Sequence, residues 1–350
     1  MKKSLKHIRL APQLYEELLR RIWCGDYPAG TQLESVSKLT ELLGVGKHSV
    51  EAAVDMLAAD GYLKKHPGRA PLIVMPQRKG VLHLAATGMN TSGELQMYYE
   101  KSPRRYLFKD SVLRALRKNN CHCTSIYDRQ TLQKALPVLD GIVHFQFLDK
   151  PHNPAPQVGL PVLTVKNMLE EVLQPNTVYT DRDQAVEKTA YYMISYGVKS
   201  VLSLQRGNDV LHNEREKLLQ KIMDGFGRSD LFYHTAITQG VGEKHAAAPL
   251  KAFLEKDPRR PIGVLAQGDL LARGCAQTAL ECGLQLKKDI IIVGCTGLPE
   301  AASWHPAVSS LTSPFASLGK CAAESVIKLI RSKQDLEPQI IYGQLIIRET

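Results

Sequence analysis

The sequence predicts an α/β protein in which a small N-terminal winged helix-turn-helix precedes a larger domain built on mostly parallel sheet. Three observations carry that prediction. Short helical runs separated by glycine turns fill the region before residue 61, a basic-tipped hairpin follows directly, and in the long remainder apolar strand-like runs alternate with helical stretches. At 350 residues the chain is long enough for a small module and a larger domain with its own core.

The first helical run spans Leu14 to Trp23 and ends in Gly25-Asp26-Tyr27-Pro28-Ala29-Gly30, a segment of helix-breaking residues. A second amphipathic run places Val36, Leu39, Leu42 and Leu43 on one face and stops at Gly44-Val45-Gly46. The third begins at Lys47; Val50, Val54 and Leu57 recur at helical spacing, which turns Lys47, His48, Glu51 and Asp55 outward. Two β-like runs, Tyr62–Lys65 and Leu72–Val74, are joined by His66-Pro67-Gly68-Arg69. Three helices and a basic-tipped hairpin fit duplex DNA with the third helix in the major groove.

Around Met75–Gly80 the composition turns polar and helix-breaking, which sets the domain boundaries at 1–75, a linker at 76–80, and 81–350. Strands are expected at Val81–Thr87, Cys123–Tyr127, Gly141–Phe147, Pro161–Val165, Ser200–Leu204, Ile262–Ala266 and Ile290–Cys295. Helices are expected between them at Lys109–Lys118, Asp183–Tyr196, Glu214–Phe226, Ala246–Leu254 and Asp269–Cys282. Continuous apolar strands separated by helices imply a sheet covered on both faces, with ligands at the carboxyl ends of its strands.

The net charge of +10 suits an anionic partner. It is spread along the chain, however: residues 1–78 hold 12 Lys and Arg against 8 Asp and Glu, so composition alone does not establish nucleic-acid binding. No apolar run approaches the ~20 residues of a membrane span. The lysine-bearing N-terminus lacks the apolar core of a signal peptide, so a cytoplasmic location without membrane association is expected. Seven cysteines without a paired CxxC framework are unlike a disulfide scaffold. Cys121-His122-Cys123 alternates across a strand, which leaves no metal ligand set. GxSxG, GK[ST] and HExxH motifs are absent, and the histidines show no triad spacing, so neither an enzyme nor a bound cofactor is expected.

The order of Leu14-Tyr15, Gly25, Pro28-Ala29-Gly30, Leu33-Glu34-Ser35, Leu39-Thr40, Leu42-Leu43-Gly44-Val45, Ser49-Val50, Leu57, Gly61-Tyr62-Leu63 and Gly68 resembles the N-terminal module of GntR-family bacterial regulators. The match is best at the apolar and glycine positions that build the fold. It departs where DNA would be touched: Ser37 replaces an arginine, Gly46-Lys47-His48 replaces "S-R-T", and Glu51 replaces a further arginine. Glu51 facing a phosphate would weaken binding, whereas the same carboxylate could accept from a cytosine amino group. The resemblance places the DNA contacts at Ser35, Ser37, Lys47, His48, Ser49, Glu51, Lys64, Lys65, Gly68 and Arg69.

From about Lys79 onward the chain resembles the effector domain of LacI/GalR repressors, itself related to two-lobed periplasmic sugar-binding proteins. The resemblance rests on Asp140-Gly141-Ile142-Val143, Leu160-Pro161-Val162, Val178-Tyr179-Thr180-Asp181 and Tyr196-Gly197-Val198-Lys199. It continues through Gln267-Gly268-Asp269 with Ala272 and Gly274, then Asp289–Gly294, Pro306, Leu311-Thr312 and Gly319. A GntR-like reader joined to a LacI-like sensor is the architecture of arabinose-repressor-type regulators.

Carried over position by position, the resemblance places effector contacts at Arg215, Lys166, Asp269 and Thr296, with Tyr98 and Trp304 as aromatic platforms. Arg215 could instead be a surface arginine paired with Glu214 or Glu216, and Asp269 could hold a loop rather than touch ligand. Lys166 and Thr296 stand where the family often has aspartate, so the ligand grip loses carboxylates and gains positive charge. What the resemblance implies is a sequence-specific DNA-binding repressor, a homodimer on a palindromic operator. A small sugar, sugar acid or sugar phosphate would control its affinity. A cytoplasmic small-molecule sensor whose degenerate helix-turn-helix no longer binds DNA stays open as the alternative.

Overall fold

The computed structural model describes residues 10–66, 69–76, 80–88, 103–147, 154–207, 210–240, 242–257 and 259–350. The chain forms two compact units, one of residues 1–166, 172–178 and 316–339, the other of 167–171, 179–315 and 340–350.

The first unit opens with three helices, α1 (Leu10–Trp23), α2 (Val36–Leu43) and α3 (Lys47–Ala59). Helix α1 buries Leu14, Tyr15, Leu18, Leu19, Ile22 and Trp23, the i, i+3, i+4 stripe that its sequence repeats. The Ser35 hydroxyl caps α2 by accepting from Lys38 N at 3.3 Å, and Gly44 ends that helix in the left-handed region at φ 63°. Strands β1 (Leu63–His66) and β2 (Arg69–Ile73) form an antiparallel hairpin in which Leu63 faces Ile73. The segment between α1 and α2 adds to its edge: Gly30 N donates to Ile73 O at 2.8 Å and Ile73 N to Thr31 O at 2.8 Å. This is a winged helix-turn-helix.

The same unit holds most of a six-stranded sheet. Its strands are β3 (Leu82–Thr87), β4 (Cys121–Ser125), β5 (Gly141–Gln146), β6 (Val162–Lys166) and β7 (Thr177–Asp181), with β13 (Gln339–Tyr342), in the order β13-β7-β6-β5-β3-β4. Strand β3 runs parallel to β4 and β5, and β5 parallel to β6. Helices α4 (Pro103–Lys118), α5 (Arg129–Ala135) and α10 (Phe315–Ser332) belong to this unit. At Gly319 on α10 an added Cβ would lie 2.2 Å from the Ser111 carbonyl oxygen on α4, so only glycine permits that crossing. The winged helix shares its apolar cluster with the sheet: Leu14, Leu18, Trp23 and Tyr62 continue into Ala85, Ile126, Leu132, Ala135 and Ile142.

The second unit has its own sheet. Its strands are β8 (Ser200–Arg206), β9 (Phe232–Thr238), β10 (Ile262–Ala266), β11 (Ile290–Gly294), β12 (Ser309–Thr312) and β14 (Gln344–Ile346), in the order β14-β12-β11-β10-β8-β9. All pairs except β12 with β14 are parallel. Helices α6 (Asp183–Ser195), α7 (Val210–Gly225), α8 (Ala247–Lys256) and α9 (Asp269–Glu281) follow the strands as a doubly wound sheet requires. The strands β8, β10 and β11 are buried almost throughout, which explains the apolar runs of β10 and β11; β8 interrupts its own with Ser203 and Gln205.

Several elements escape the periodicity reading. Strand β9 lies at a sheet edge and mixes Tyr233, His234, Thr235 and Thr238 with apolar residues, so it carries no continuous apolar run. Strand β12 is only four residues of Ser309–Thr312, buried by its neighbours rather than by its composition. Helix α5, seven residues long, is too short to show a helical period, although Asp128 caps it by accepting from Thr131 N. No described helix is long and apolar enough to cross a membrane.

Gly319→Ala is expected to lower the unfolding free energy by about 1–3 kcal/mol, because α10 must shift away from α4 to admit the methyl group. Urea unfolding of the variant beside the parent chain measures it.

Candidate nucleic-acid interface and effector site

The exposed face of α3 is set by its buried one. Val50, Ala53, Val54 and Leu57 point into the core, leaving Lys47, His48 and Asp55 in solvent and Glu51 half exposed. Glu51 Oε1 lies 3.7 Å from Lys47 Nζ, and Oε2 lies 3.4 Å from His48 Nδ1. Lys65 on β1 pairs with Asp55 of the same helix. The two acids of α3 thus engage three of the groups that sequence reading assigns to phosphates or bases. Lys64, His66 and Arg69 stay exposed on the hairpin. Ser35 spends its hydroxyl on the α2 cap, Ser37 is exposed on α2, and Ser49 is half buried. Gly68 lies outside the described residues.

In the second unit, polar side chains gather after the carboxyl ends of the parallel strands, where such sheets place ligands. Asp269 opens α9 and is fully buried. Its Oδ1 accepts from Thr296 N at 3.0 Å and from the Ser310 hydroxyl at 2.7 Å, and its Oδ2 from Leu298 N at 2.7 Å. Burial pushes this carboxyl above the usual range, and the Ser310 hydroxyl and the two amides pull it back. Glycine is required around it: a Cβ at Gly294 would stand 2.4 Å from Asp269 Oδ1, and one at Gly297 would stand 1.8 Å from Thr312 Oγ1. Asp269 is therefore the staple of the loop after β11 and fixes Thr296, which is 9% exposed. These three bonds hold the loop, one of the two roles the sequence leaves open for it.

Arg215 on α7 is 6% exposed, which removes the surface alternative. Glu214 is engaged by Lys217 at 3.0 Å and Glu216 accepts from Thr235, so neither takes up the role of surface partner. Its Nε and Nη2 find no hydrogen-bond partner among the described residues. A buried guanidinium with unmet donors is costly unless something carrying acceptors fills the space beside it. Two further buried acceptors or donors, Gln205 Oε1 at the end of β8 and Ser313 Oγ just after β12, are also without partners there. Sequence reading missed both: Gln205 sits in a strand already broken by Ser203, and Ser313 follows the polar run Ser309–Thr312, so neither stands out locally.

Trp304 is half buried, with the Arg273 guanidinium 4.8 Å from its ring centroid, and Arg273 donates to Glu243 Oε1 at 3.0 Å. That face of the indole is already occupied by a cation. Lys166 belongs to the first unit, buried at the end of β6 opposite Gln146. Tyr98 lies outside the described residues. Asp269 and Thr296 are thus brought together by a direct hydrogen bond, whereas the other expected contacts are held by separate elements.

Residues 10–73 match the model of bacterial regulatory proteins of the gntR family, and residues 190–350 match the periplasmic binding protein-like domain. Among curated proteins, the HTH-type transcriptional repressor PurR of Escherichia coli (strain SE11) and that of Shigella boydii serotype 18 are each 30% identical over 105 residues. That alignment covers 30% of this chain, and the chain spans 30% of the length of those repressors. Among solved structures, a LacI-family regulatory protein from Chloroflexus aggregans is similar with a TM-score of 0.58 at 17% identity, covering 76% of this chain and 97% of that one. A LacI-family regulator from Enterococcus faecium with bound ribose gives 0.54 at 16%, covering 76% and 97%. The transcriptional regulator CelR in its cellobiose complex gives 0.56 at 15%, covering 91% and 99%. At these identities the structural likeness establishes the fold.

Asp269→Ala is expected to cost about 3 kcal/mol or more, since two amides and a hydroxyl lose their acceptor in a dry site. Asp269→Asn should cost less, because its carbonyl oxygen keeps part of the set. Thermal unfolding of the two variants reads the difference.

Proposed function

We propose that this gntR-type reader joined to a periplasmic-binding-protein-like sensor is a DNA-binding transcription regulator, a repressor controlled by a small effector. In this reading residues 1–75 read DNA, 76–80 link, and 81–350 bind effector and supply the dimer surface. Two copies would place two readers on a palindromic operator, with half-sites about one helical turn or a multiple apart. The observation that carries the reading is the winged helix itself: α3 packs inward on Val50, Ala53, Val54 and Leu57 while Lys47 and His48 stand exposed beside a basic hairpin.

The effector would settle at the carboxyl ends of the second unit's strands, with Arg215 as its principal polar contact and Thr296 presented by the Asp269 staple. Lys166, Tyr98 and Trp304 complete the proposed set. Relatives of the same fold are described with ribose and cellobiose, which favours a sugar or sugar-derived ligand here. The unmet donors of Arg215 favour one rich in acceptors, such as a sugar acid or sugar phosphate. Control of DNA affinity requires the effector to bind the DNA-competent and incompetent states unequally.

A second reading, a sensor whose reader no longer binds DNA, is favoured by one observation: Glu51 and Asp55 occupy Lys47, His48 and Lys65. Selection of random duplexes on the full-length protein separates the two. An enriched palindrome supports the regulator; weak binding without enrichment supports the sensor.

Two outcomes are expected of variants. Glu51→Gln should release Lys47 and His48, raise nonspecific duplex affinity, and steepen the dependence of log affinity on log salt by about 0.9 for each additional phosphate neutralised. Arg215→Met should weaken effector binding by about tenfold or more in calorimetry while leaving the effector-free affinity for the selected duplex within about threefold.

A further inference from the structure

The winged helix is held to the first unit's sheet by more than apolar contact. His83 on β3 and His122 on β4 are register partners in neighbouring parallel strands, so both point to one face, together with Ala85 and Thr124. All four are buried. Two histidines and a threonine make that face polar, and an ordinary apolar helix would leave their donors and acceptors unmet. The winged helix supplies the complement. The Tyr62 hydroxyl bridges His83 Nε2 at 3.1 Å and His122 Nδ1 at 2.9 Å. Trp23 stacks on His83 at 5.0 Å between centroids, and Thr124 donates to the Glu16 carbonyl. The Glu16 carboxylate accepts from Lys109 at 3.0 Å and Ser125 at 3.0 Å. Tyr15 lies under the Arg117 guanidinium at 3.9 Å and donates to Asp60 at 2.6 Å.

The Val138 and Asp60 oxygens bear on which ring nitrogens carry hydrogens: His122 Nε2 lies 3.6 Å from Asp60 Oδ2. His83 Nδ1 stands 3.2 Å from the Val138 carbonyl, which can only accept, so a hydrogen on Nδ1 satisfies it and leaves Nε2 facing the Tyr62 hydroxyl. The Tyr62 oxygen is also 2.9 Å from His122 Nδ1, so one hydroxyl serves both rings. Phenylalanine at 62 would take the bridging hydroxyl away from both imidazoles. Meanwhile Lys47, His48, Lys64, Lys65, His66 and Arg69 remain exposed with the reader docked.

We propose that this docking surface, and not the 76–80 segment, transmits effector state to the DNA reader: winged helix and first sheet move as one body with the reading face open. The proposal rests on the regulator reading for its signal, while the docking itself can be tested without DNA. Hydrogen exchange on the full-length protein is the first arm. In the parent chain α1 and the strands β3 and β4 should exchange together at one opening rate. Tyr62→Phe should lower protection in all three by about tenfold or more. Glu16→Gln, which spares the core, should lower it in the same segments by a smaller factor. Independent exchange of α1 and β3 in the parent, or unchanged β3 and β4 in both variants, overturns the docking.

The second arm separates the two routes by affinity for the selected duplex with and without a probe drawn from ribose, cellobiose, a uronate and a sugar phosphate, the one that shifts the parent's affinity being used. A six-residue Gly-Ser insertion between Gln77 and Arg78 should leave the effector response within about threefold, whereas Tyr62→Phe should abolish most of it. The reverse pattern overturns the proposal. A protein that selects no duplex at all overturns the transmission role along with the regulator reading, and the exchange arm still decides whether the reader is docked.

Discussion

Burying the polar face of a parallel sheet is the constraint on which the first unit depends. Strands β3 and β4 turn His83, Ala85, His122 and Thr124 to one side, and every one of them is dry. A buried imidazole or hydroxyl without a partner costs about 1–3 kcal/mol, comparable to a large part of a domain's net stability. The winged helix meets that demand with Tyr62, Glu16 and Trp23, and its own core runs on into Ala85 and Ile142. The module that reads as a free-standing reader in the sequence is thus also the layer that keeps this sheet dry.

Two buried charges in the second unit show how burial alone fails to identify a ligand contact. Asp269 and Arg215 are both nearly inaccessible. Asp269 is met by three donors from its own chain and has no reason to seek another partner. Two of the Arg215 nitrogens have no acceptor among the described residues. Satisfaction of the hydrogen-bonding groups, and not depth, is what sets the two charges apart, and it is the reason the proposed effector contact falls on Arg215. The glycines at 294 and 297 follow from the staple: the loop approaches the carboxylate and Thr312 so closely that no side chain fits.

Much of this fold was legible because its signals are local. The α1 and α3 stripes, the Gly44 and Gly61 stops, and the apolar strands β10 and β11 declare themselves within a few residues, whereas of the expected α2 face only Leu39 is buried and Leu42 stands exposed. The pairing of Tyr62 with His83 and His122 spans 21 and 60 residues, and nothing near Tyr62 announces it. In the sequence the histidines show only a lack of triad or metal spacing. Their actual partner is a tyrosine from the neighbouring module, which spacing rules do not search for. Likewise Arg215 was legible as a position, but that its guanidinium is buried and unmet emerges only once α7 has packed against its sheet.

The cross-strand pair of His83 and His122 also bears on how the chain reaches its native state. Side chains alternate along a strand, so a slip of β4 by one residue against β3 would carry His122 and Thr124 to the opposite face. Tyr62 would then find one imidazole instead of two, and the Glu16 carbonyl would lose its donor. The reader therefore seats fully only on a sheet whose first two strands have aligned correctly. Seating of the winged helix thus favours one register of β4 on β3 over its one-residue neighbours.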